Sequence, residues 1–319
     1  MKRRIRLSIP RVFHSCGLLR NIAFIVFCIV LLSSNSEAYR FNTGNRDLQI
    51  RWDNTVKYSC SLRLEKQSDE LINSINQDDG DRAFSRGLIS NRFDLLSEMD
   101  IVYKQVGMRI SGAAWYDTVY HDENDNTSPS TSNSFDSRYN EFTDDTEELH
   151  GGDAEILDAF VFGRKGFGET EISIRAGQFA MQWGESLFFG NNGIAGGMAP
   201  IDVVKALSVP NTQFKELLRP VPQVSAQIQF GTALTMGLYY QLKWDNTRLP
   251  AVDSYFGNID TIGDGGERLI VGDPLSPTGG PAAFFRRSDM EADDSGQGGI
   301  QVRFPIGAYD FGLYALRYL

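Results

Sequence analysis

The 319 residues hold three histidines and three cysteines, and that short supply decides most of what the chain could catalyse. His14, Cys16 and Cys28 fall within the first 38 residues, which leaves His121, His150 and Cys60. A hydrolytic triad needs an imidazole held beside its nucleophile by a scaffold. Both remaining histidines sit in acidic stretches, where a solvated imidazole is expected. No His/Cys cluster has zinc-ligand spacing, and no Gly-rich loop joins a strand to a helix to cradle phosphate. The expectation is no enzyme, no cofactor and no metal centre. Asp78-Asp79-Gly80-Asp81 and Gly263-Asp264-Gly265-Gly266 carry oxygens that calcium would accept, without the ligand spacing of a calcium loop. Solvated turns are expected at both.

The charged residues that suggest work are those that alternate with apolar ones. From Leu48 to Glu65 the even positions read Leu48, Ile50, Trp52, Asn54, Val56, Tyr58, Cys60, Leu62 and Leu64. Odd positions carry Arg51, Asp53, Lys57, Arg63 and other polar residues. Successive side chains of a strand point to opposite faces, so this segment has one apolar and one charged face. With the apolar face in lipid, the charged face lines a lumen. Extending that parity predicts Arg51, Asp53, Lys57, Arg63, Arg109, Arg175 and Arg303 as pore-facing. They carry both signs, so the parity fixes no ion preference.

The elements that would position them repeat along the chain. Paired strands are predicted at 93–104 and 107–120, 155–163 and 171–181, 223–230 and 233–244, and 299–304 and 309–319. The connections alternate in length. Long segments at 66–92, 121–152, 182–221 and 245–298 are interleaved with short turns at Gln105, 164–170, Gly231-Thr232 and Gly307-Ala308. Long outer loops and short periplasmic turns are the pattern of an outer-membrane barrel. The predicted fold is an all-β, antiparallel transmembrane β-barrel. Nine strands is an odd count, whereas single-chain bacterial barrels have even numbers. The expectation is an incomplete barrel, the N-terminal part of a longer protein. A soluble β-sandwich shares the alternation but does not require the alternating loop lengths.

Two long segments differ in chemistry. Segment 121–152 has about nine acids to one base and is expected to stay solvated without building a core. Segment 182–221 is apolar and Gly-rich, with Asp202 poised to cap a short helix from Val203. An apolar outer loop should not lie in water. It is expected to fold inward, with Trp183, Glu185, Phe188, Phe189, Asp202 and Lys205 narrowing the lumen.

Residues 1–38 read as a cleaved signal peptide. Lys2, Arg3, Arg4, Arg6, Arg11 and Arg20 precede the apolar run Ile22 to Leu32, and Ser36-Glu37-Ala38 ends the segment. The run is shorter than the roughly 20 residues of a spanning helix. Phe27 before Cys28 argues against a lipid-modified cysteine. The mature part is then 39–319, exported to the outer membrane of a Gram-negative bacterium. Of 31 basic and 41 acidic residues, removing the leader's six and one leaves 25 and 40, a net charge near −15. That balance excludes nucleic acid as a partner. The mean hydropathy of −0.28 excludes a bundle of membrane helices, while a barrel can look this polar because only alternate residues meet lipid. With Cys60 alone in the mature part, no intramolecular disulfide forms.

Several ordered motifs span the mature part: Trp52-Asp53-Asn54-Thr55, Asp78-Asp79-Gly80-Asp81-Arg82, Ser90-Asn91-Arg92 and Ser111-Gly112-Ala113-Ala114-Trp115-Tyr116-Asp117. Further along come Trp183-Gly184-Glu185-Ser186-Leu187-Phe188, Lys205-Ala206-Leu207-Ser208-Val209-Pro210, Pro220 and Gly263-Asp264-Gly265-Gly266-Glu267-Arg268. Together they resemble the proteobacterial family of unknown function numbered 1302, which is similar to outer-membrane porins. The resemblance implies a porin-like protein that helps move hydrophobic compounds across the outer membrane. It also implies periplasmic or lipid-transport partner proteins, and no catalytic residues carry over. Members of that family are considerably longer, which agrees with a truncated copy. The leading expectation is a channel for small apolar or aromatic solutes, with outer-membrane lipid around it. Behind it stand a structural or adhesive surface protein working through its acidic loops, and a hydrolase using His121 or His150.

Overall fold

The computed structural model describes residues 39–134, 137–184, 193–272 and 282–318. The signal-peptide region lies outside them. Strands β1 (Tyr39–Phe41), β2 (Leu48–Arg63), β3 (Gly87–Tyr103), β4 (Val106–Asp117), β5 (Gly152–Phe167) and β6 (Thr170–Phe179) are followed by β7 (Val221–Phe230) and β8 (Leu234–Gln241). After β9 (Arg268–Ile270) and β10 (Ala283–Phe285) come β11 (Gly298–Ile306) and β12 (Tyr309–Arg317). One ten-stranded antiparallel meander runs β1-β2-β3-β4-β5-β6-β7-β8-β11-β12, and β9 and β10 pair separately. The all-β expectation holds, and each of the nine long strands falls where the alternation placed one. The edge strands β1 and β12 are not hydrogen-bonded to each other, so the sheet, a single wall of ten strands, does not close into a barrel among the described residues.

One short turn is tighter than the sequence suggests. The turn expected over 164–170 reduces to Gly168-Glu169, because β5 and β6 zip together from Phe167 and Thr170. Gly168 and Gly231 adopt φ of +64° and +54°, left-handed conformations that cost glycine nothing.

Cross-strand register confirms the parity. Trp52, Val56 and Tyr58 pair with Met99, Leu95 and Phe93, which pair in turn with Ile110, Ala114 and Tyr116. Further round, Ile174 pairs with Ala226, Ala226 with Leu238, and Leu238 with Ile300. These side chains form one apolar outward face, and Val56 and Ile156 are 68% and 66% exposed on it. A sheet can offer such a face to lipid only with its backbone paired, since each unpaired group in hydrocarbon costs several kcal/mol. Polar atoms on this face are paired too. Trp52 Nε1 donates to Ser97 Oγ at 2.9 Å, and the Tyr58 hydroxyl donates to Asn91 Oδ1 at 2.8 Å.

Two bulges break the alternation. Ile110 pairs with Ala159 but Gly112 with Ile156, so β5 carries an extra residue there. Ser61 pairs with Ser90 but Leu62 with Leu88, which makes Ile89 the extra residue of β3 and leaves it buried. Bulges re-aim side chains in this way.

The long connections 66–86, 118–151 and 242–297 pack into a cap. Its core is Ala83, Phe84, Ile89, Tyr120 and Phe142, with Val119 and Tyr255 against it. This corrects the expectation that 121–152 stays solvated. Its acids lie on a scaffold of buried polar groups, in which Thr146 donates to Asp253 Oδ1 at 2.7 Å and Asn133 Nδ2 donates to the Arg268 carbonyl at 2.7 Å. His150 is also buried, against the expected solvated imidazole, and stacks on Tyr120 at 5.1 Å. His121 stacks on Tyr116 at 4.7 Å and stays exposed. The two histidines therefore have aromatic partners rather than nucleophiles. The turn at Asp78-Asp79-Gly80-Asp81 is not solvated either, because Asp78 and Asp79 are buried under the other two connections.

Candidate functional site

The inner face of the sheet is polar because β2 to β6 turn their other parity inward. Across it runs a ladder of charges. Arg51 bonds Asp53 at 2.9 Å and reaches Asp100 at 3.3 Å. Asp100 also takes a two-pronged bond from Arg109 at 2.7 and 2.8 Å, with Glu98 3.8 Å from the same guanidinium. Planar bidentate pairs of this kind are the strong ones.

Segment 193–220 folds against this face. Asp202 caps the helix Val203–Ser208 by accepting from Lys205 N at 2.7 Å, as the sequence suggested. Arg248 clamps the same carboxylate at 2.9 Å and Glu155 of β5 at 2.7 Å. Burial works against the Arg248 charge, but these two carboxylates raise its pKa above the ordinary guanidinium value. In the following helix, Phe214–Leu217, Glu216 accepts from Lys57 of β2 at 2.8 Å. Burial works against that carboxylate as well, and the ammonium still holds it below the usual range. At its other end the segment packs on later strands. Met198 clusters with Trp183 and Tyr239, with Tyr314 and Leu316 against them. Gln241 Nε2 donates to the Met198 carbonyl at 2.7 Å. This connection thus touches the inner faces of β2, β8 and β12, and Arg248 of the next connection ties it to β5.

Two cavities remain. The larger, about 910 Å³, lies between this segment and β2 to β6. Its lining includes Arg51, Lys57, Arg109, Asp202, Lys205 and Glu216 together with Phe160, Phe179 and Leu218. The smaller, about 650 Å³, lies towards the short turn at Lys104-Gln105. Trp183, Gly184, Gln301 and Arg303 line it. Val102, Phe162 and Arg175 belong to both linings and so stand between the two cavities. The Arg175 guanidinium sits 4.8 Å from the Phe160 ring centre and 5.0 Å from that of Phe179. Gly177 makes room for this stack. A Cβ there would meet Phe160 Cβ at 2.9 Å, and the backbone has φ of +132°.

The sequence-predicted residues divide as follows. Arg51, Lys57, Arg109, Asp202 and Lys205 line the larger cavity, Trp183 and Arg303 the smaller, and Arg175 both. Asp53 lies on the inner face, paired with Arg51. Arg63, at the outer end of β2, is committed to the cap, bonding Asp81 at 2.6 Å and the Phe84 carbonyl at 2.9 Å. Glu185, Phe188 and Phe189 lie outside the described residues. Sequence reading missed Glu98, Asp100 and Glu216, and it missed Phe160 and Phe162. Parity carried across the β2–β3 pairing would have found Glu98 and Asp100. The β5 bulge hides Phe160 and Phe162 from any period-two reading.

The chain belongs to the family described as Protein of unknown function (DUF1302), which it matches over residues 19–319. No curated protein and no solved structure matches it.

Proposed function

We propose that this protein is a porin-like channel of the outer membrane, passing small apolar or aromatic solutes. The supporting observation is a pair of cavities that share the Arg175 side chain, itself stacked on Phe160 and Phe179, inside a sheet whose outer face is apolar from strand to strand. A phenyl-lined passage takes up apolar surface that water rejects. The guanidinium of Arg175, held face-on to two rings, offers a flat cationic surface to an aromatic or anionic group. The paired charges around it keep the wall hydrated without giving it a strong net sign. Segment 193–220 narrows the lumen in this reading, with Asp202 and Lys205 on the larger cavity and Trp183 on the smaller. Cleavage after Ala38 and export to the outer membrane belong to the same proposal.

The test is solute flux into liposomes carrying the folded full chain, with small aromatic compounds and sugars of matched size. Faster aromatic flux is expected, and Arg175→Ala should raise sugar entry several-fold, by about 1 kcal/mol of lost barrier. Liposomes no leakier than protein-free ones would sink the proposal. The competing reading, a surface adhesin, rests on the acidic outer segments. It would instead leave permeability at background while surface binding depends on 121–152.

A further inference from the structure

The cap holds a cluster of buried acids that the channel reading does not use. Asp78 and Asp79 come from the connection after β2, and Asp260 from the connection after β8. All three are buried, and one carboxylate oxygen from each lies within 4.8 Å of the others. Their existing bonds leave part of the group unsatisfied. Asp79 Oδ2 accepts from Asn133 N at 2.8 Å, and Asp260 Oδ2 accepts from Asp79 N at 3.1 Å. Asp78 Oδ2 is paired with Arg82. Asp79 Oδ1 has one long bond, from Asn126 Nδ2 at 3.4 Å. Asp78 Oδ1 and Asp260 Oδ1 accept no hydrogen bond although neither residue has any exposed surface. Asn133, equally buried, has an unpartnered Oδ1 as well.

Three carboxylates against one guanidinium leave excess negative charge buried beneath the surface. A buried ionised carboxylate without a partner is among the most costly groups in a protein. The spacing offers a remedy. Oxygens each about 2.4 Å from one cation stand at most about 4.8 Å apart. The donors are all hard oxygens, a set that suits calcium better than the nitrogen- and sulfur-seeking zinc or copper. The surrounding packing is fixed. A side chain at Gly80 would strike the Gly257 and Ser254 carbonyl oxygens at 2.4 and 2.5 Å, so the two connections close on each other here.

We infer that Asp78, Asp79 and Asp260 bind one calcium ion that ties the outer connections into the cap. The ion takes the free oxygens of Asp78 and Asp260 and one from Asp79. It joins segments that the chain makes far apart, and its charge offsets that of the buried carboxylates.

The full chain, folded in detergent and stripped with a chelator, is titrated with calcium alone by calorimetry, and its outer connections are probed by limited proteolysis. Saturable binding of one ion per chain is expected, with slower cleavage in 66–86 and 242–297. Asp260→Asn should weaken binding by about tenfold or more. In chelator it should resist protease at least as well as the parent, because it removes a buried charge. Asp79→Asn supplies a second loss of binding, and Asp69→Asn, on an exposed acid, leaves affinity unchanged. Absence of saturable binding overturns the inference. So does parent-like affinity in both Asp260→Asn and Asp79→Asn, and so does protection that appears only on acidification and ignores calcium.

Discussion

Arg175 and His150 each place a basic side chain among aromatic rings, with opposite charge states. Arg175 cannot lose its proton, so it is kept by Phe160 and Phe179 at a gain of about 2 kcal/mol for a desolvated contact. His150 can lose its proton, and burial together with Arg92 and Arg248 lowers its pKa to about 3. Its Nε2 accepts from Ala251 N at 3.2 Å, as a neutral ring should. The sign of the resulting pH dependence follows. Above about 6.5 the ring is neutral folded or unfolded. As pH falls from there towards 3, only the unfolded chain takes the proton, and the cap loses about 1.4 kcal/mol per pH unit from this residue. Asp253 works the other way. Burial raises its pKa to about 8, so its contribution is full below about 4 and is lost as pH rises to 8. His150→Gln isolates the first effect: its cap should keep protease resistance on acidification from pH 6 to 4, relative to the parent. A parallel loss in both proteins would contradict the assignment. None of this was legible at the residue scale in sequence. An acidic neighbourhood argued for solvated imidazoles, and the ring that buries His150 belongs to Tyr120, in a different turn of the cap.

Between residue and whole molecule, the element that matters most is segment 193–220. Its apolar composition led to the expectation of an inward fold; it packs on the inner face while Leu207 and Phe214 stay exposed, and its Asp202 cap was readable from one residue. Its tether was not. Lys57 and Glu216 are 159 residues apart, and nothing local to either names the other. The pair is partly buried and worth about 1 kcal/mol, enough to bias the segment towards the inner face but not to lock it. In the proposed channel, Glu216→Gln should therefore raise single-channel conductance and its fluctuations by a few-fold, and Lys57→Met combined with Glu216→Gln should add little beyond either alone. Additive effects in a double-mutant cycle on conductance would show that the two side chains act separately. Strands were far easier to read, since each repeats a period of two over about nine residues or more. Where the period failed, at Ile89 and around Leu157-Asp158, a bulge had shifted the parity by one.

For the molecule as a whole, the outward face makes the strongest demand. Leu238 is 47% exposed on it, between Ala226 and Ile300, while Gly237 and Gln301 face inward beside it. Leu238→Lys should cost about 2–4 kcal/mol of membrane stability near the midplane and reduce heat-resistant folded protein on gels. Thr55→Lys, on the inner wall of the larger cavity, should fold normally. Equal tolerance of both would argue against lipid on the outer face. The cap sets a different demand, one of time. Asn76 Nδ2 donates to the Ile270 carbonyl across 194 residues, and Asp79 N reaches Asp260 across 181. Six strands of the wall lie between those partners in the chain. Contacts that distant carry a large loop-closure cost until the intervening chain is in place. The wall must therefore be laid down while its outer connections are still unpaired, and the cap is the last part of the protein to learn its shape.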